Sequence, residues 1–491
     1  MGRTPTHPFH PMTVRYAIAA VSLAASAHGA EMALSPCDLT AAGGRLEVDA
    51  QCGTLTVPLD PGDPGGETID LFVAVVEALA EQGASDPLTV IAGGPGQAAT
   101  SFYVTAEAAF ARVVRKRDII LVDQRGTGRS APLMCEGGED DLFLEAGDID
   151  RVIDASRECL EGLAHDPRFF TTSMAVRDLE RVRDALGYAE LNLYGISYGT
   201  RVAQHYLRRY PDRTRRVILD GVLPPAVALG ADVPLASQAA LDAVFERCEA
   251  DAACRQAFPD LRLRFAALLA RLRETPVEVS LDHPRTGEAI DVVVDHWMLA
   301  GVVRLLVYQP QTASLLPFLI DAVDGGDYEA LAAQVFLLTE GLEGLAVGLN
   351  NAVVCTEDVP FQGEVDLDAQ AATYMGTTFA EILKRTCEIW PRGLMDEDLR
   401  ELVTSDKPVL MLSGELDPIT PPHYARRAAA SLSNVIDVVA PGQGHGMLMT
   451  VCGRRLAAEF LDLDDVDTLD RSCVDRIRPA PIFTSRMGPA P

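Results

Sequence analysis

The 491-residue chain has no close Cys-x-x-Cys pair, so a structural zinc site has no ligand pattern to rest on. Basic residues are in deficit. Forty-two Lys and Arg face 71 Asp and Glu, and a net charge of −29 repels polyphosphate, so nucleic acid is not an expected partner. No apolar run beyond the N-terminal region reaches the roughly 20 residues of a membrane-spanning helix, so stable insertion is not expected either. The glycine-rich turn at Gly93 is not followed by Gly-Lys-Ser/Thr and fails the dinucleotide spacing, which excludes both kinds of phosphate cradle. The acidic stretch 462–470 has Asp467 where a calcium loop needs its turn glycine, and it lacks the final glutamate. Nothing here calls for a metal or an organic cofactor. What is present is ordinary for a globular protein: 48% apolar and 23% charged residues, with 39 Gly and 31 Pro. The length suits two or three domains, or one large fold with an insertion.

Ten cysteines are too few for a disulfide-built scaffold, but they fall in chain order into neighbouring couples. These are Cys37 and Cys52, Cys135 and Cys159, Cys248 and Cys254, Cys355 and Cys387, and Cys452 and Cys473. Five local bridges are expected, against the alternative of ten buried thiols, and the compartment decides between them because disulfides persist where the medium is oxidising. Arg15, the apolar run Ala17 to Ala25 and the small triplet Ala25-Ser26-Ala27 follow the pattern of an export signal over residues 1–27, with Met12 as an alternative start. A secreted or periplasmic location follows.

After residue 27, short apolar runs alternate with helical patterns, as in a mostly parallel sheet covered by helices. The expected strands are Leu88–Ala92, Ile119–Asp123, Leu191–Gly195, Val217–Asp220, Val409–Ser413 and Val435–Val439. Between the fourth and fifth, amphipathic stretches such as Leu261–Arg273 and Tyr328–Leu338 dominate and strand signals are few. The expected organisation is an α/β core over 28–222 and 395–491, interrupted by a mainly helical cap over 223–394. The last core segment ends in a tail tied by its cysteines.

The chemistry centres on Gly195-Ile196-Ser197-Tyr198-Gly199, set between the strand-like Leu191–Tyr194 and the helix-like Thr200–Tyr210. Strand, tight turn and helix together form a nucleophile elbow, where small neighbours let the chain turn and expose the serine hydroxyl. That hydroxyl needs a histidine base oriented by a carboxylate. Of nine histidines, His445 in Gly444-His445-Gly446 follows the last strand, where a loop can bring imidazole over the sheet edge. Asp417 follows the strand before it, giving the chain order Ser197, Asp417, His445 expected of this architecture. Glu415 and Asp220 are rival acids. For the developing oxyanion, donors are expected from the Tyr198 N–H and from the turn Gly93-Gly94-Pro95-Gly96; Gly94 is preferred and Gly96 is the fallback, since Pro95 has no N–H.

These pieces, with Asp123-Gln124-Arg125-Gly126-Thr127-Gly128-Arg129-Ser130 and Gly414-Glu415-Leu416-Asp417-Pro418-Ile419-Thr420-Pro421, resemble the α/β-hydrolase serine peptidases of the prolyl aminopeptidase type, especially secreted tripeptidyl-aminopeptidase-like members. One position departs: Ala92 stands where relatives carry histidine or proline. The resemblance implies an α/β-hydrolase fold with an inserted helical cap, and cleavage of short peptides or aminoacyl amides from a free N-terminus. It also implies acidic cap residues that hold the substrate ammonium, for which Glu357 and Asp358 are the candidates. An esterase of the same fold and a non-catalytic binding protein are the alternatives, since fold does not set substrate.

Overall fold

The computed structural model describes residues 1–2, 32–41, 44, 46–135, 148–283, 286–339 and 344–490. The expected export signal at 1–27 lies almost wholly outside them. A nine-stranded sheet forms the centre, in the order β1-β2-β3-β5-β4-β6-β7-β10-β11. Its parallel part is β5 (Arg117–Val122), β4 (Ala84–Ile91), β6 (Leu191–Ile196), β7 (Thr214–Asp220), β10 (Val409–Gly414) and β11 (Val435–Ala440). Every residue of β6 and β10 is buried, as continuous apolar runs covered on both faces should be. These six strands are the six expected from the sequence.

The other three strands were not foreseen. β1 (Ser35–Thr40), β2 (Glu47–Pro58) and β3 (Thr68–Val76) pair antiparallel at one edge, and β3 joins the parallel part antiparallel to β5. In β2 the signal is alternation: Val48, Ala50 and Cys52 are buried while Glu47, Asp49 and Leu55 are not, whereas β3 carries a continuous apolar run, Leu71–Val76. A search for continuous apolar runs passes over the pattern of β2.

On the two faces lie α1 (Ala99–Phe110), α2 (Thr172–Ala185) and α3 (Tyr198–Arg209). Beyond β7 the chain forms α4 (Val233–Ala250), α5 (Leu261–Glu274), α6 (His296–Leu306), α7 (Leu316–Asp324), α8 (Tyr328–Thr339), α9 (Val347–Glu357) and α10 (Thr378–Ile389) before returning to β10. Most of these helices share an apolar core of their own, including Leu268, Leu272, Val302, Val303, Ile320 and Leu331. The stretch is not purely helical. β8 (Val277–Asp282) and β9 (Ala289–Val294) form an antiparallel hairpin whose period-two pattern, Val277, Val279, Leu281, was also passed over.

All ten cysteines are paired, each with its neighbour in the chain, as expected. The Cα–Cα separations run from 4.8 to 5.8 Å, inside the range a disulfide spans. Cys37–Cys52 staples β1 to β2, and Cys355–Cys387 staples α9 to α10. Five bridges fit an oxidising compartment. Among the described residues, no helix is long and apolar enough to cross a membrane.

Candidate active site

Ser197 sits where β6 turns into α3, with φ +55° and ψ −125°. A side chain in that region is strained, and a nucleophile elbow holds its serine there. The flanking glycines are required by crowding: a Cβ on Gly195 would collide with the Gly199 carbonyl, and one on Gly199 with the carbonyls of Ile91 and Ala92. Any larger residue would push α3 off β4 and open the turn.

The loop carrying His445 approaches from the far side of β7. Its imidazole Nδ1 lies 2.8 Å from Oδ2 of Asp417 and 3.2 Å from the Thr420 hydroxyl. Asp417 is nearly fully buried, and its other oxygen accepts the N–H groups of Ile419 and Thr420, both at 2.9 Å, while the Thr420 hydroxyl donates to Oδ2. These bonds fix the carboxylate plane, and the carboxylate in turn selects the tautomer with the proton on Nδ1, leaving Nε2 unprotonated. Burial opposes a charge on His445, but the Asp417 carboxylate, as charge and as hydrogen-bond acceptor, with help from Asp220, outweighs it and holds the pKa above the usual histidine value. Thr420 was quoted in the motif but given no role by the sequence. Only the folded turn shows it supporting the acid.

The two rival acids bind the histidine loop's backbone instead of its ring. Glu415 accepts the Gly442 N–H at 2.8 Å. Asp220, fully buried at the end of β7, accepts the N–H groups of Met447 (2.7 Å) and Leu448 (2.8 Å) and the Tyr194 hydroxyl (3.0 Å). Burial pushes its carboxyl up to about 6 despite those donors. The backbone carbonyl of the same Asp220 accepts the Ser197 N–H at 2.9 Å, and a Cβ on the next residue, Gly221, would lie 2.9 Å from Cε1 of His445. The C-terminal end of β7 therefore holds the elbow with its backbone and the histidine loop with its side chain. That shared anchor brings residues 248 positions apart to one place.

The expected oxyanion turn lies beside the elbow. Gly93 is against Ser197, since a Cβ there would fall 3.0 Å from the serine Cβ. Gly94 and Gly96 have φ of +104° and +115°, a region that favours glycine. The insertion supports this turn: Ala346 N–H donates to the Gly96 carbonyl (3.0 Å) and Asn350 Nδ2 to the Pro95 carbonyl (3.1 Å). Tyr198 is the first residue of α3, where a helix leaves its N–H without an intrahelical acceptor.

Glu357 and Asp358, the candidates for carboxylates in a desolvated pocket that hold an ammonium group, have no measurable exposure, and their partners are internal. Asp358 meets both terminal nitrogens of the fully buried Arg201, at 2.7 and 3.1 Å, and also accepts the Leu229 N–H. Glu357 accepts the N–H and the hydroxyl of Thr172, each at 2.7 Å, and lies 3.7 Å from Arg201. Burial pushes the Glu357 carboxyl up to about 7, Arg201 and Thr172 working against it. A buried arginine needs carboxylate partners, and these two acids are used for that. The Asp123–Ser130 motif is likewise internal: Arg125 is buried on Asp178 and the carbonyls of Leu59 and Phe169, and Asp123 accepts from Thr100 and Arg129. A second histidine–carboxylate pair, His205 with Asp396, belongs to an ion cluster with Arg177 and Arg209 on the outer side of α3.

The sequence pattern described as the alpha/beta hydrolase fold matches residues 86–252, and that described as TAP-like protein matches residues 372–473. The protein YuaR of Escherichia coli is 23% identical over 425 residues, which is 81% of this chain and 82% of that protein. Tripeptidyl aminopeptidase of Streptomyces coelicolor is 32% identical over 207 residues, 38% of this chain and 37% of its own length. Serine protease Hip1 of Mycobacterium tuberculosis is 28% identical over 209 residues, 39% of each. The chain thus matches well under half the length of the two named peptidases.

Proposed function

We propose that this chain, whose residues 86–252 and 372–473 match the patterns described as the alpha/beta hydrolase fold and as TAP-like protein, is a serine hydrolase and an exported aminopeptidase, with Ser197, His445 and Asp417 as its catalytic triad. The observation that carries the triad is the Asp417–His445 contact at 2.8 Å on a loop tied, through Asp220, to the same strand end as Ser197. The names of the two peptidase relatives support the choice of peptide substrates. The five bridges and the signal pattern in the sequence support export.

In this reading the Ser197 hydroxyl adds to the scissile carbonyl carbon while Nε2 of His445 takes its proton. Asp417 holds the imidazolium through Nδ1. The oxyanion accepts the N–H groups of Tyr198 and Gly94, with Gly96 as second choice, donors already fixed before substrate arrives. Collapse expels the C-terminal fragment as an amine, protonated by His445. The N-terminal fragment stays as an ester on Ser197 until water, deprotonated by His445, releases it. The net charge of −29 favours approach of a cationic N-terminus.

The test compares kcat/KM for free and N-acetylated tripeptidyl p-nitroanilides, with p-nitrophenyl esters alongside. Removing the substrate's ammonium should lower kcat/KM by roughly 10² or more, as expected when a recognised charge is lost. Equal turnover of free and blocked peptides, or turnover of esters alone, would replace the aminopeptidase reading with an endo-acting hydrolase or an esterase.

A further inference from the structure

The histidine loop has one more anchor, supplied by the insertion. Between α6 and the short helical turn Pro310–Ala313, the chain passes directly over residues 443–445. The Tyr308 carbonyl accepts the His445 N–H at 2.7 Å, and Gln309 Nε2 donates to the His445 carbonyl at 2.6 Å. A carbonyl only accepts, so the amide must present its NH₂ there. Both backbone polar groups of His445 are thus taken by two consecutive residues of the insertion. The Tyr308 ring also meets the imidazole edge to face, with centroids 5.6 Å apart. Glycines make the approach possible: a Cβ on Gly444 would collide with the Tyr308 carbonyl, and one on Gly414 with the Gly444 carbonyl on the opposite side. The loop is pressed between the end of β10 and the insertion with no room for a side chain on either face.

The anchor is itself well held. Gln309 caps its helical turn, its carbonyl accepting the Ala313 N–H at 2.9 Å and the Thr312 hydroxyl at 3.0 Å, and that hydroxyl also lies 2.6 Å from the Leu306 carbonyl. An imidazole's direction follows from its backbone angles, and binding both the N–H and the C=O of one residue fixes those angles more tightly than a bond to either alone. Asp417 sets the ring's rotation, whereas the 308–309 segment sets where the Cα–Cβ bond points.

We infer that Gln309, with the Tyr308 backbone, is a positioning residue of the insertion that sets the aim of His445 toward Ser197. This rests on His445 being the base, as proposed above. The consequence is that the insertion shapes the chemical step as well as access to it, because a shift of α6 would move the base.

The experiment measures kcat, KM, the rate of fluorophosphonate labelling and thermal unfolding for Gln309→Met, Gln309→Glu and His445→Ala. Methionine keeps the shape of glutamine and removes the donor. It should lower kcat and labelling by about tenfold, the size of one lost hydrogen bond at a positioned group, with KM within about twofold and Tm unchanged. Glutamate puts an anion against the His445 carbonyl and should lower both rates further, by about 10². Loss of Tm with kcat per folded molecule unchanged would show a merely structural contact and overturn the inference, as would normal kcat in both Gln309 variants. His445→Ala separates the two claims: normal labelling in that variant defeats the assignment of the base itself, whereas abolished labelling there beside normal labelling in the Gln309 variants defeats only the positioning role.

Discussion

Two groups of carboxylates lie near α3, and both are buried and hydrogen-bonded, yet they differ in what they face. Asp417 points one oxygen at two backbone N–H groups and the other at an imidazole that keeps some exposure. Glu357 and Asp358 face the fully buried Arg201, and Asp358 also lies 3.6 Å from Arg400, which keeps some exposure. The first arrangement leaves the imidazole's other nitrogen without a carboxylate, on a loop tied to the same strand end as the strained Ser197; the second pairs its carboxylates with guanidinium groups. Charge and burial alone therefore do not mark a reactive site. What marks it is a titratable partner left incomplete on one side.

That contrast can be broken by substitution. The largest effect is expected at the nucleophile: Ser197→Ala should keep its unfolding temperature and lose at least about 10³ of kcat on any peptide substrate, because triad members act as a unit. Next comes Asp417→Asn, which should cost up to about 10⁴ in kcat, less than loss of the nucleophile, by removing the imidazole's orienting partner. The pH profile gives its signature. His445 works as a base only when neutral, and its pKa is held up by Asp417, so the acid limb of kcat/KM should lie above the ordinary histidine value near 6.5 and move to lower pH in the Asn variant. An unmoved limb would take the acid's role away from Asp417. Glu415→Ala removes only the tie to Gly442 and should cost less than about tenfold; a larger loss than for Asp417 would exchange their roles.

Glu357→Gln should have the smallest effect on activity, within about twofold, and should leave discrimination against N-acetylated substrates intact. Its mark is on stability. The Glu357 carboxyl is raised in the folded state to about 7 from an ordinary 4.5, so folding favours its protonated form. Its contribution is fully present below about pH 4.5 and is lost as pH rises toward 7, and the Gln variant should lack that decline in urea unfolding measured from pH 5 to 8. Loss of N-acetyl discrimination in this variant would instead restore Glu357 to the substrate site and erase the distinction between the two groups.

Legibility in the sequence followed the same physics. The six parallel strands announced themselves because burial on both faces demands unbroken apolar runs. β2, over Val48–Cys52, and β8 hide in alternation, with apolar residues at every second position, whereas β3 carries an unbroken apolar run, Leu71–Val76, that the expected strands do not include. Ser197, Asp417 and His445 stood out through local turn chemistry, since glycines at 195, 199 and 444 are demanded by contacts that allow no Cβ. Gln309 had no such signal. It lies more than 130 positions from His445, in an ordinary polar stretch, and its role arises only from the way the insertion folds back. Glu357 and Asp358 were ambiguous for the opposite reason: an acidic pair reads the same whether it meets a ligand or an internal arginine, and Arg201 on α3 became their partner only through folding.

Ser197 is the proposed nucleophile of a site assembled at the end of β7. Labelling the folded protein with a fluorophosphonate and mapping the adduct by peptide mass spectrometry tests this most directly. One adduct per chain, on Ser197, with labelling abolished in His445→Ala and strongly slowed in Asp417→Asn, is the expected result; an adduct on another serine, or Ser197 labelling that persists unchanged without His445, would contradict it.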